Sequence, residues 1–139
     1  HSCARPATMS DRELTSMSVL DEGSLSDTLK KMLAEGQVYA RSGQILVSLN
    51  PYRPLGLYEE GTLIDYRTSN TPASLPPHIY GVAAEAHARL IERGKSQTII
   101  ISGESGAGKT ENAKYVMQYL ASTVVPRPQT DGSASGRSS

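Results

Sequence analysis

The sequence of 139 residues has room for one modest domain and not for two of ordinary size. Its 14 basic and 14 acidic residues cancel, which argues against a nucleic-acid or membrane surface held by bulk positive charge. No run of apolar residues exceeds three, so no transmembrane segment and no signal-peptide core is expected.

Trp and Phe are absent, leaving seven Tyr and four Met beside Leu and Ile as the large core-fillers. The single cysteine, Cys3, has no partner for an internal disulfide, which fits a reducing compartment. The start at His1 reads as that of a fragment or processed product.

Residues 1–13 show no periodicity and are expected to fray as a flexible N-terminal segment. A helix is expected from Leu25 to Glu35, with Ser24 and Asp27 at capping-box spacing and Gly36 at its end. Its apolar stripe is Leu25, Leu29, Met32 and Leu33. Gln37–Ala40 and Ile45–Asn50 read as two strands joined at Ser42-Gly43, the second stopped by Pro51, which cannot donate to a ladder. A loop with Pro51, Pro54, Gly56 and Gly61 follows. After a short stretch at Leu63–Tyr66, where Leu63-Ile64-Asp65 faintly resembles a metal-binding strand end, a polar loop runs through Pro72, Pro76 and Pro77.

Ile79, Val82, Ala83, Ala86, Leu90 and Ile91 give a helical stripe that begins near His78 and ends at Gly94. His78 reads as a capping or solvated residue and His87 as a boundary residue, not as ligands. Thr98–Ser102, with Ile99-Ile100-Ile101 apolar on both faces, predicts a central strand of a covered sheet. A glycine-rich turn leads into a helix from Lys109 to Ser122, with Ala113, Val116, Met117 and Leu120 inward and Tyr115 and Tyr119 as packing or surface residues. Residues 124–139 form a flexible loop or tail, rich in Pro, Gly and Ser after Pro126. The stretch 14–123 is thus the folded portion.

Gly103-Glu104-Ser105-Gly106-Ala107-Gly108-Lys109-Thr110 matches G-x-x-x-x-G-K-[ST] in full, with a predicted strand before and a helix after. In a chain of this length the pattern arises by chance in roughly half a percent of sequences at ordinary residue frequencies. The chemistry explains the residue types. Glycines let the backbone curl so that successive N–H groups face anionic oxygens, and the helix N-terminus adds positive potential at the same point. Lys109 supplies a charge for the β- and γ-phosphates, and the Thr110 hydroxyl is an oxygen ligand suited to Mg²⁺. Phosphoryl transfer also needs a second metal-holding carboxylate and a group that orients water. After Thr110 the acids are Glu111, placed as a helix-dipole partner, and Asp131 in the tail, so these 139 residues look catalytically incomplete.

The residues Ser102 to Asn112, continued by Ala113-Lys114-Tyr115-Val116-Met117-Gln118-Tyr119-Leu120-Ala121, resemble the phosphate loop and following helix of the myosin motor head. Tyr39 to Tyr58 is similar to that family's hairpin and purine-binding loop, most closely at Ser42-Gly43 and Asn50-Pro51-Tyr52. Leu14 to Leu29 and Pro77-His78-Ile79-Tyr80 also match. The resemblance implies an α/β fold of P-loop NTPase type, with a partial mixed sheet and flanking helices. It implies ATP and Mg²⁺ as ligands, with Asn50, Pro51 and Tyr58 contacting or bracketing the adenine, and an actin filament as partner through parts absent from these residues. It also implies a cytoplasmic, cytoskeletal setting. Arg53, Gly56 and Leu57 depart from the family's usual residues. The family's switch I and switch II segments do not occur in the sequence. The expected function is the ATP-binding portion of a myosin motor; the alternatives are a truncated, non-catalytic nucleotide-binding fragment and, less well supported, a small P-loop phosphotransferase.

Overall fold

The computed structural model describes Leu14 and residues 21–124. The expected fraying of residues 1–13, the tail beyond Val124 and Asp131 within it lie outside the described residues. Helix α1, Glu22–Ala34, starts at Asp21, whose side chain accepts from the Ser24 N–H while the Ser24 hydroxyl takes the Asp21 N–H. The capping box therefore stands three residues earlier than Ser24–Asp27, because the acceptor must lie before the first turn to reach its free N–H groups. Leu14, Met32 and Ala40 are buried together, with Leu25 and Leu29 packed against them.

Strands β1, Tyr39–Ser42, and β2, Ile45–Ser48, form an antiparallel hairpin with Tyr39 opposite Ser48 and Ser42 opposite Ile45. The two turn residues are Gly43 and Gln44, one position later than expected, with Gly43 at φ 58°. Helix α2, Glu60–Thr68, takes in the short stretch Leu63–Tyr66 and extends on both sides into residues read as loop. Leu63 and Tyr66 are its buried residues, and Asp65 is an exposed helical residue, so Leu63-Ile64-Asp65 is no strand end. A single 3-10 turn, Pro72–Ser74, follows.

Helix α3, Ile79–Arg93, begins at His78 and stops at Gly94 in the left-handed conformation. Helix α4 is Lys109–Thr123. The core joins Val38, Tyr39, Leu63, Tyr66, Ile79, Tyr80, Ala83, Ala84, Val116 and Tyr119, where α3 and α4 pack against each other and the hairpin closes one side. Tyrosine takes the place of the missing Phe and Trp. Tyr80 has no exposed surface at all, and its ring lies edge-on to Tyr58, Tyr66 and Tyr115.

The expected central strand is a correction. Thr98–Ser102 runs without regular structure into the glycine-rich turn and joins no ladder, and Ile100 is 86% exposed. Three consecutive isoleucines favour an extended backbone, but a strand exists only where a neighbour receives its N–H and C=O groups. Among the described residues no strand stands beside it, and the sheet is the β1–β2 hairpin alone. The partial mixed sheet expected from the sequence is not formed within them. Helix and strand coexist, so the chain is a mixture of α and β elements.

Candidate nucleotide-binding site

The turn between Ser102 and α4 is shaped by its backbone. Gly106 and Gly108 hold φ at 79° and 93°, values that a side chain disfavours. Nothing lies within 4 Å of the point where a Cβ on Gly108 would stand, so the backbone there is open. The Ala107 N–H returns to the Glu104 carbonyl at 3.2 Å, and the Asn112 N–H to the Gly108 carbonyl at 3.0 Å starts the helix. Lys109 Nζ donates to the carbonyls of Gly103 at 2.8 Å and Glu104 at 2.7 Å. An ammonium has three donors, so two are committed to the loop and one is left to meet an anion. Glu104, Ser105 and Thr110 are exposed around this turn. The first turn of α4 carries Glu111, which pairs with Lys114 at 2.6 Å on the helix surface. That is the dipole-partner placement expected of Glu111.

Facing the turn is the loop after β2. Asn50, Pro51, Arg53 and Tyr58 line a cleft of about 410 Å³ together with Gly108 and Tyr115, within the size of small-molecule sites. The structure thus brings Asn50, Pro51 and Tyr58 to the same cleft as the glycine-rich turn. It also occupies two of them. Asn50 Nδ2 donates to the Gly106 carbonyl at 2.8 Å, and Asn50 Oδ1 accepts the Tyr52 N–H at 2.9 Å. The Tyr58 ring stacks on Tyr115 with centroids 3.5 Å apart and planes 7° from parallel.

Sequence reasoning gave no role to the side chains beneath the site. Asn112, only 8% exposed, donates to Ser48 Oγ at 3.0 Å and accepts from Tyr39 Oη at 3.1 Å. With that proton committed, the 2.8 Å contact between Tyr39 and Tyr58 is donated by Tyr58. The chain Tyr58–Tyr39–Asn112–Ser48 ties the cleft, the hairpin and the first turn of α4 together, with every buried polar group satisfied by a neighbour. Burial raises both the Tyr39 and Tyr58 hydroxyls above the ordinary tyrosine range, so both remain protonated donors at neutral pH. The signal for this network was an apolar strand position occupied by Tyr and a helix position occupied by Asn.

His78 caps α3. Its Nδ1 accepts the Tyr80 N–H at 3.1 Å, which leaves Nε2 to donate to the Leu57 carbonyl at 3.1 Å. Burial lowers its pKa to about 4, against the opposing effect of the Leu57 carbonyl, so the imidazole is neutral near pH 7. The capping role expected of His78 is present, in a buried rather than solvated setting. Further hollows among the described residues include one of about 560 Å³ between β2, α3 and residues 97–103, touching Lys109 and Asn112, and one of about 350 Å³ beside Tyr66, His87 and Tyr119. Among the described residues no three His, Cys, Asp or Glu side chains gather as a metal site. No described helix is long and apolar enough to cross a membrane.

Residues 11–134 match the family described as myosin head (motor domain). The chain is 46% identical over 110 residues to myosin IA heavy chain of Dictyostelium discoideum, covering 79% of this chain and 11% of that one. It is 42% identical over 111 residues to myosin-3 of Candida glabrata, with 80% and 9% covered. With myosin-1 of Aspergillus terreus the figures are 43% over 110 residues, 79% and 9%. The chain therefore spans about a tenth of the length of the curated relatives it matches.

Proposed function

The chain belongs to the myosin head (motor domain) family, and from that premise we propose that it is the part of an actin-based motor that binds ATP with Mg²⁺. The observation that carries this reading is the position of Lys109. Its ammonium is folded over the carbonyls of Gly103 and Glu104, at the N-terminus of a helix 15 residues long, with one donor left for a phosphate oxygen.

In this reading, N–H groups between Gly103 and Thr110 and the Lys109 ammonium take up the charge of the β- and γ-phosphates. The loop fits such a ligand because its open Gly108 presents backbone and no side chain. Thr110 is the residue that would hold Mg²⁺, which supplies charge neutralisation at the terminal phosphates. The base lies in the cleft of Asn50, Pro51 and Tyr58. Lys109 and Thr110 are the catalytic groups of this reading, neutralising charge and holding Mg²⁺, and no described residue is assigned to orient the attacking water, since Glu111 is turned to Lys114 on the surface. In the longer protein, turnover would be coupled to movement on actin in the cytoplasm. A non-catalytic nucleotide-binding fragment is the second reading, favoured by Thr98–Ser102, which joins no ladder and leaves Ile100 exposed.

A titration of the chain with a fluorescent ATP derivative and Mg²⁺ tests the proposal. Saturable binding is expected, competed by ATP and by inorganic tripolyphosphate, without phosphate release from the isolated chain. Binding that tripolyphosphate leaves untouched would contradict it. Phosphate release accelerated by actin filaments would instead overturn the reading that the residues orienting the attacking water lie outside this chain.

A further inference from the structure

The Asn50 side chain spans two loops, and what it holds differs from what its neighbourhood suggests. Its Nδ2 donates to the Gly106 carbonyl at 2.8 Å, in the middle of the phosphate loop. The Gly106 carbonyl and the Ala107 N–H belong to one planar peptide unit. Fixing the carbonyl toward Asn50 aims that N–H the other way, where it reaches the Glu104 carbonyl at 3.2 Å. The other half of the amide, Oδ1, accepts the Tyr52 N–H at 2.9 Å. Tyr52 has φ 50°, in the left-handed region that favours glycine and strains a bulky side chain, and it is the one such non-glycine among the described residues. Its hydroxyl stands 3.8 Å from the point where a Cβ on Gly106 would lie. A strained, 84% exposed tyrosine is thus held beside the loop by the same amide that pins the loop's peptide.

We infer that Asn50 is a positioning residue for the phosphate cradle: its amide sets the Gly106–Ala107 peptide plane, so the anion-binding loop is ordered from the base-side loop even when no base is bound. The inference rests on the nucleotide reading for its ligand, but its geometric part does not. Removing the donor frees this peptide to rotate, since its plane turns about ψ of Gly106 and φ of Ala107, and Gly106 has no Cβ to restrict the first of these. The consequence is a loop whose N–H groups converge on phosphate only part of the time.

Hydrogen exchange of the full chain without nucleotide, followed by binding of Mg²⁺–tripolyphosphate and Mg²⁺–ATP, tests this on Asn50→Ala. Faster exchange in residues 103–108 with unchanged exchange in α3 is expected, together with affinities for ATP and for base-free tripolyphosphate that both fall roughly tenfold, the effect of one hydrogen bond of ordinary strength. If ATP binding weakens while tripolyphosphate binding and loop exchange stay as in the wild type, Asn50 acts on the base alone and the inference is overturned. If α3 exchange rises as well, Asn50→Gln replaces it, keeping the amide but displacing it by one methylene. The same selective opening supports the inference, and its absence overturns it. Altered loop exchange in a chain that binds neither ligand supports the latch and sinks the nucleotide reading; unaltered exchange sinks the latch whatever the ligands do.

Discussion

The phosphate end and the tyrosine core of this molecule are built on opposite principles. Between Gly103 and Thr110 the structure is made by backbone: positive φ at Gly106 and Gly108, carbonyls gathered on Lys109, and side chains left outside. Around α3 it is made by side chains: Tyr39, Tyr66, Tyr80 and Tyr119 fill the interior and satisfy their hydroxyls on neighbours. The difference teaches where each kind of substitution acts. Changes in the core should alter stability, and changes at the loop should alter binding without altering stability. The Tyr58–Tyr39–Asn112–Ser48 chain is the join between the two.

Tyr80→Ala presses hardest on that contrast. Removing a fully buried aromatic ring that also donates to Gln118 Oε1 should destabilise the chain by about 4 kcal/mol, read as a lowered urea midpoint. A midpoint within experimental error of the wild type would erase the distinction.

Acid should attack the core next. The folded His78 has a pKa of about 4 against 6.5 unfolded, so the unfolded chain binds the extra proton between those values. Stability is therefore whole above pH 6.5 and falls as pH drops toward 4, by up to roughly 3 kcal/mol, because a protonated Nδ1 can no longer accept the Tyr80 N–H. His78→Asn, a good cap that does not titrate there, should flatten the slope of stability against pH. An unchanged slope would place the acid sensitivity elsewhere.

Lys109→Ala probes the other half. Losing a charged donor at the cradle should weaken Mg²⁺–ATP by about 2 kcal/mol in calorimetric titration, with the urea midpoint unmoved. A shifted midpoint would show that the loop and the core are one unit. The smallest effect belongs to Glu111→Gln, which should change neither measurement, since its partner Lys114 is a surface group.

Much of this was legible in the sequence, and the residues show why. Gly43 marks the turn before β2 and Gly94 the end of α3, although β2 ends at Ser48, short of Pro51, and the 3.6-residue stripe of α3 is broad. Helix α2 was hidden because only Leu63 and Tyr66 of its nine residues are buried, too thin a stripe to register as a period. Thr98–Ser102 misled for the converse reason: its composition favours a strand, but strand formation depends on a neighbour that composition does not reveal. At the site, motif and resemblance pointed to the glycine-rich turn and to Asn50, Pro51 and Tyr58, which the structure brings to one cleft. The hydrogen bonds of Asn50 and Asn112 were not, because they join residues 56 and 64 positions apart in the chain.

Backbone amide resonances recorded during a Mg²⁺–ATP titration test the central claim most directly. The largest shifts should fall on Gly106 through Thr110, with smaller ones at Asn50 and Tyr58. Shifts gathered instead around Tyr66, His87 and Tyr119, or none at saturating nucleotide, would contradict it.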